Sequence, residues 1–122
     1  MDRTAERHCP HGFPSTYRPH SGAPLDVTRL AKNADDAAEL LALLANGKRL
    51  TIIEHLLERE MSVGAIAKKV SLSQSALSQH LAKLRSLNLV EARRERQMVY
   101  YSCHSEPARR LLQTLKGIFE KN

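Results

Sequence analysis

The stretch "SVGAIAKKVSLSQSALSQHLAKLR", residues 62–85, constrains the fold more than any other part of the chain. Its apolar residues recur at helical spacing in two short runs. Val63, Ile66 and Ala67 mark one inward face, and Leu77, Leu81 and Leu84 mark another. Each run follows a serine, Ser62 or Ser73, whose hydroxyl can accept a backbone N–H at a helix start. Only the segment "VSL" separates the two runs. Two short helices joined by about three residues form a helix-turn-helix.

The second of these helices has an unusual outer face. Gln74, Ser75, Ser78 and Gln79 fill its first two turns. Serine is a mediocre helix former because its hydroxyl competes for backbone hydrogen bonds, so stability does not explain the choice. Base recognition does. The second helix of such a pair lies in the DNA major groove and reads bases near its N-terminus. Ser and Gln both donate and accept, and Gln can pair bidentately with adenine. Gln74, Ser75, Ser78 and Gln79 are therefore the expected base-reading residues. His80 sits beside Leu77, Leu81 and Leu84, where a packed or hydrogen-bonded role fits better than metal ligation.

The rest of the chain builds around this pair. Residues 1–24 hold four of the five prolines and show no apolar period, which predicts a flexible N-terminal tail. A domain is expected over residues 25–122. A first helix is expected from a cap at Asp26, with Val27, Leu30, Ala34, Ala37, Leu41 and Leu44 along one stripe. Asn46 can cap a second helix, with Leu50, Ile53, Leu56 and Leu57 inward. After the helix-turn-helix, Val90 and Ala92, then Val99 and Tyr101, alternate with polar residues. They predict two strands joined near residues 95–97. That junction has no glycine, so a longer loop is expected there rather than a tight turn. Ser105 can cap a last helix with Leu111, Leu112, Leu115, Ile118 and Phe119 on one face. The expected fold is mainly α with a small β-hairpin, in the order α-α-α-α-β-β-α: a winged helix-turn-helix.

Charge agrees with this reading. Nineteen Lys and Arg against 13 Asp and Glu give a net charge of +6, which suits a polyanionic partner. Arg93, Arg94 and Arg96 cluster on the hairpin, where a wing would meet phosphate or the minor groove. Lys68, Lys69, Lys83 and Arg85 flank the reading helix and could hold the DNA backbone. Other classes fit poorly. No apolar run approaches the roughly 18–20 residues of a membrane span, and the first residues lack a signal-peptide core, so a cytoplasmic protein without a membrane partner is expected. No nucleophile–base pair or Gly-rich phosphate loop can be placed. Glu58 and Glu60 lie on different helix faces, so enzymatic activity is not expected.

The segments "LLANGKRLTIIEHL", "SVGAIAKKVSLSQSALSQHLAKLR" and "LVEARRERQMVYYS" together resemble the ArsR family of dimeric winged-helix repressors over about residues 36–120. "LSQSALSQHL" is far more specific than a generic helix-turn-helix pattern. The resemblance implies a dimeric repressor of transcription, bound to a partly palindromic operator in double-stranded DNA. It implies a homodimer through the first and last helices, and the stripes on those helices agree, with Leu30, Leu41, Leu111, Leu115 and Ile118 as candidate interface residues.

Many members of that family release DNA on binding a metal. One family site uses a Cys-x-Cys pair around the third helix, where this chain reads "EREMSVGAIA". Another draws an Asp, two His and a Glu from the last helix, and the matching positions here are Ser105, Pro107, Ile118 and Lys121. The family's persulfide sensors use two cysteines at positions that here hold Glu54 and Glu120. No inherited effector site and no cofactor are expected. An alternative is a metal- or redox-responsive sensor of the same fold, using the tail and Cys103. There His8, Cys9, His11 and His20 are competent Zn or Cu ligands, and Cys9–Pro10 matches a dipeptide of some haem-responsive segments. Cys103 itself reads best as a buried structural thiol.

Overall fold

The computed structural model describes residues 33–120. The tail with its candidate ligands His8, Cys9, His11 and His20, the start of the first helix with Asp26, Val27 and Leu30, and Lys121 lie outside the described residues. The elements run α1 (Ala34–Leu44), α2 (Gly47–Glu58), β1 (Met61–Ser62), α3 (Val63–Val70), α4 (Gln74–Ser86), β2 (Glu91–Glu95), β3 (Met98–Ser102) and α5 (Glu106–Phe119).

Four of the five described helices start where a side chain can satisfy an open backbone donor. Asn46 Oδ1 accepts from the Arg49 N–H at 3.1 Å, and Ser62 Oγ from Ala65 at 3.2 Å. Ser73 Oγ accepts from Ala76 at 3.1 Å, and Ser105 Oγ from Ala108 at 3.1 Å. Each such cap stabilises its helix by about 1 kcal/mol. In α1, Asp35 and Asp36 stand in the first turn and complement the helix dipole.

The ends of α3 and α4 share a device. Ser71 and Asn88 take left-handed φ values of 57° and 58°. The next residue in each case bonds back five positions, Leu72 N–H to Ala67 O at 3.0 Å and Leu89 N–H to Leu84 O at 3.1 Å. This is the Schellman closure, which stops a helix sharply and turns the chain. In α3 it produces the turn of the helix-turn-helix.

The core is aliphatic and continuous. Ile52, Ile53 and Leu56 of α2 meet Ile66 of α3 and Leu77, Leu81 and Leu84 of α4. Ile52 is fully buried although the expected stripe of α2 passed it over. In α1 the inward residues are Leu40, Leu43 and Leu44, whereas Leu41 points outward and is 55% exposed.

The sheet departs from the expected hairpin in two ways. It has three antiparallel strands in the order β1-β3-β2, because Met61 and Ser62 pair with Tyr101 and Tyr100. A two-residue strand has no period to detect, so Ser62 read only as a cap. The expected long loop is also corrected. Glu95 pairs directly with Met98, leaving Arg96 and Gln97 as a two-residue turn. Arg96 supplies the positive φ, 59°, that glycine usually provides in such turns.

Candidate nucleic-acid interface

Helix α4 is oriented by its leucines. Leu77 and Leu84 are 0% exposed and Leu81 is 1% exposed, which fixes the roll of α4 on the core. Helical spacing then places Gln74, Ser75, Ser78 and Gln79 on the outside, and all four are exposed. Gln74 lies over Gly64 of α3, where an added Cβ would sit 3.8 Å from its Nε2. Residues 61–90 contain no Asp or Glu, so no carboxylate of the helix-turn-helix would repel phosphate.

A groove of about 370 Å³ runs between α4 and the wing. Ser78 and Arg85 line its helix side, and Arg94, Val99 and Tyr101 line its sheet side. Lys68, Lys69, Lys83, Arg85, Arg94 and Arg96 are all exposed. None of these six forms an ion pair among the described residues. Lys68 borders the start of α4 beside Gln74, and Arg85 and Arg94 line the groove with Ser78, whereas Lys69 lines a cavity with His55, Glu58 and Glu60.

Arg93 is placed differently from its neighbours. Side chains alternate across a strand, so Arg93 and Arg94 project from opposite faces of the sheet. On the outer face Arg93 donates to both carboxylate oxygens of Glu60, at 3.0 and 2.8 Å, and to Glu95 at 2.8 Å. Its guanidinium also lies 4.8 Å from the centre of the Tyr100 ring. The arginine holds the Glu60 carboxyl below the usual carboxylate range, and the two carboxylates hold the guanidinium more firmly protonated. This cluster ties the wing to the segment leading into β1. Its signal was present in the sequence, since a period of two separates residue 93 from residue 94.

Other candidate residues lie away from this face. Leu111, Leu115 and Ile118 are half-buried along α5, and Phe119 is 56% exposed. Ser105 caps α5, Pro107 stands in its first turn, and Glu54 pairs with Lys116 at 3.4 Å. Glu120 follows α5 as an exposed residue. Among the described residues no three His, Cys, Asp or Glu side chains are grouped to hold a metal. Cys103 is 1% exposed, its burial raises the thiol pKa, and its backbone N–H donates to Leu56 O at 3.3 Å.

A short polar helix seated on three leucines, beside a basic two-stranded wing, defines the winged helix-turn-helix class of DNA-binding regulators. Comparison with known proteins narrows this. Residues 46–92 match the family described as "Bacterial regulatory protein, arsR family". The chain is 51% identical over 100 residues to the nodulation protein NolR of Rhizobium meliloti, covering 82% of this chain and 81% of that one. It is 42% identical over 98 residues to the transcriptional activator HlyU of Vibrio cholerae, covering 80% and 91%. A solution structure from Mycobacterium bovis, described as a homodimeric winged helix-turn-helix DNA-binding domain, superposes with a TM-score of 0.63 at 35% identity, covering 79% of this chain and 87% of that one. The chain belongs to the ArsR family.

Proposed function

We propose that this protein is a homodimeric, sequence-specific transcriptional regulator that occupies a partly palindromic operator and represses from it. The observation that carries the reading is the reading helix itself. Its leucines are consumed by the core, and the exposed face of its first two turns is neutral, polar and free of carboxylates. In this reading Gln74, Ser75, Ser78 and Gln79 contact base edges. Lys68, Lys69, Lys83, Arg85, Arg94 and Arg96 hold the phosphates or enter the minor groove, while Arg93 positions the wing from its outer face.

Dimerisation is supported by the outward face of α1 and α5, where Leu41, Leu111, Leu115 and Ile118 remain open to different degrees. The homodimeric relative from Mycobacterium bovis has the same fold. Two-fold symmetry would place two reading helices about one turn of DNA apart, or a multiple of it. Such a protein works beside the chromosome, in the cytoplasm, and needs no chemistry of its own. No helix among the described residues is long and apolar enough to cross a membrane.

Genome-wide binding of the native protein, followed by fluorescence anisotropy on the enriched sequence, tests the proposal. The expected result is a two-fold related site bound at least 10³-fold more tightly than a scrambled duplex, the lower bound for specific regulators. Equal affinity for the two duplexes would overturn it. A reporter driven through the site should fall in output when the protein is supplied.

A further inference from the structure

The start of α2 is built against its own electrostatics. A helix N-terminus favours acidic side chains, yet α2 opens with Lys48 and Arg49 and has no acidic residue in its first turn. Both cations reach across to the helix-turn-helix instead. Lys48 Nζ donates to the Val70 carbonyl at the end of α3, where the helix dipole is negative.

Arg49 joins three elements. Its Nη1 donates to the Leu43 carbonyl in α1 at 2.9 Å. Its backbone N–H donates to the cap Asn46 at 3.1 Å. Its Nε donates to Nδ1 of His80, in α4, at 3.1 Å. The guanidinium therefore runs directly from the helix with the outward Leu41 to the residue that follows Gln79.

This contact dictates the state of the imidazole. A guanidinium is always charged and only donates, so Nδ1 has to offer a lone pair and His80 has to be neutral. The charged groups facing the ring are Arg49 from α2 and Lys83 from α4, both positive. What α1 contributes is the Leu43 carbonyl, held on the far side of the guanidinium. Burial and the two cations hold the ring's pKa below its usual value.

We propose that Arg49 is a positioning residue for DNA reading, which locks α4 to the end of α1 through neutral His80, and that proton uptake by His80 opens this lock and lowers operator discrimination. The proposal rests on the reading of α4 as the base-contacting helix. An imidazolium has two N–H donors and no lone pair, so it cannot accept from Arg49. It also adds a third positive charge beside Arg49 and Lys83.

The direction follows from linkage. The folded-state pKa is lowered from 6.5, so the locked arrangement is fully favoured above that pH. It loses ground as the pH falls from there toward the folded-state value. Non-specific binding moves the other way, because added positive charge strengthens attraction to phosphate. The ratio of operator to scrambled affinity therefore isolates the effect.

Fluorescence anisotropy on the full chain at pH 7.5 and 5.5, at fixed ionic strength, tests this. For the unaltered protein the ratio should fall on acidification, by at least about twofold, because the locked form binds the proton less readily than the opened one. His80→Gln, whose amide oxygen can accept from Arg49 but takes no proton, should hold the ratio level across the two pH values. His80→Leu, which fills the space without an acceptor, should lower the ratio at both. Arg49→Ala also strips the Leu43 carbonyl and can disrupt α1, so the His80 variants decide. A level ratio in the unaltered protein, an unchanged acid loss in His80→Gln, or a full ratio in His80→Leu would each overturn the proposal. Absence of operator preference at pH 7.5 in the unaltered protein is a separate outcome, which removes the DNA-reading function itself.

Discussion

Helices α4 and α5 are both amphipathic and of similar length, yet they treat their apolar stripes in opposite ways. In α4 the protomer buries the whole stripe, Leu77, Leu81 and Leu84. In α5 it buries Ala108 and Leu112, while Leu111, Leu115 and Ile118 are only half-buried. A stripe satisfied inside one protomer frees the opposite face of the helix for another kind of partner, which on the proposed function is DNA. A stripe left partly open calls for a second apolar surface. On the proposed function, the two helices divide the tasks of reading and of pairing.

The most severe break should come at the pairing helix. Leu115→Asp would set two symmetry-related carboxylates in the proposed seam, each costing several kcal/mol to desolvate. Sedimentation should show monomer, and operator affinity should fall by more than about 100-fold, since a lone half-site loses the linkage between two bound helices. A dimer that survives this change would place the interface elsewhere. The matching change in α4 should act on folding instead. Leu81→Ala removes a side chain that is 1% exposed and should cost about 2–5 kcal/mol in denaturant unfolding, with dimerisation still detectable in the folded fraction.

Gln79→Ala sharpens the comparison on the outer face of α4. It should cost about 1–3 kcal/mol on the operator and little on scrambled DNA. Folding stability should change by no more than about 0.5 kcal/mol, as for other exposed sites. A uniform loss on both duplexes would make Gln79 a backbone contact. The smallest effect belongs to the wing tip. Arg96→Asn keeps a residue that tolerates the left-handed turn and removes one charge. The slope of log affinity against log salt should flatten by about 0.9 for one lost phosphate contact. Arg93→Gln, within β2 and already paired with Glu60 and Glu95, should change that slope much less.

The leucine spacing and the serines at 62, 73 and 105 made α3, α4 and α5 legible, because one period and one kind of cap suffice to place a helix. The exposed polar set followed from the same spacing, since the buried stripe determines what faces outward. Other features depend on residues distant in the chain. Strand β1 is two residues long and exists only because β3 runs beside it. The tight turn at Arg96 was missed because a non-glycine residue accepts a positive φ there. The Arg49–His80 bond spans 31 positions, and local pattern carries no trace of it. Arg93 was read as one of three wing cations, although strand alternation alone would have separated it from Arg94.

Ser62 has a consequence for how binding sites can diverge. It is paired in the sheet with Tyr100, and its hydroxyl caps α3. The residue that closes β1 is thus the one that opens the helix-turn-helix, with no spare backbone between them. At the other end Leu89 and Val90, both buried, carry the chain from α4 into β2. Helix and wing are held together like the jaws of a caliper set to one opening. A relative that must grip a differently shaped stretch of DNA cannot reset that opening with a flexible linker. It has to exchange the side chains on the jaws, which leaves the spacing of the contacts inherited and their chemistry open to change.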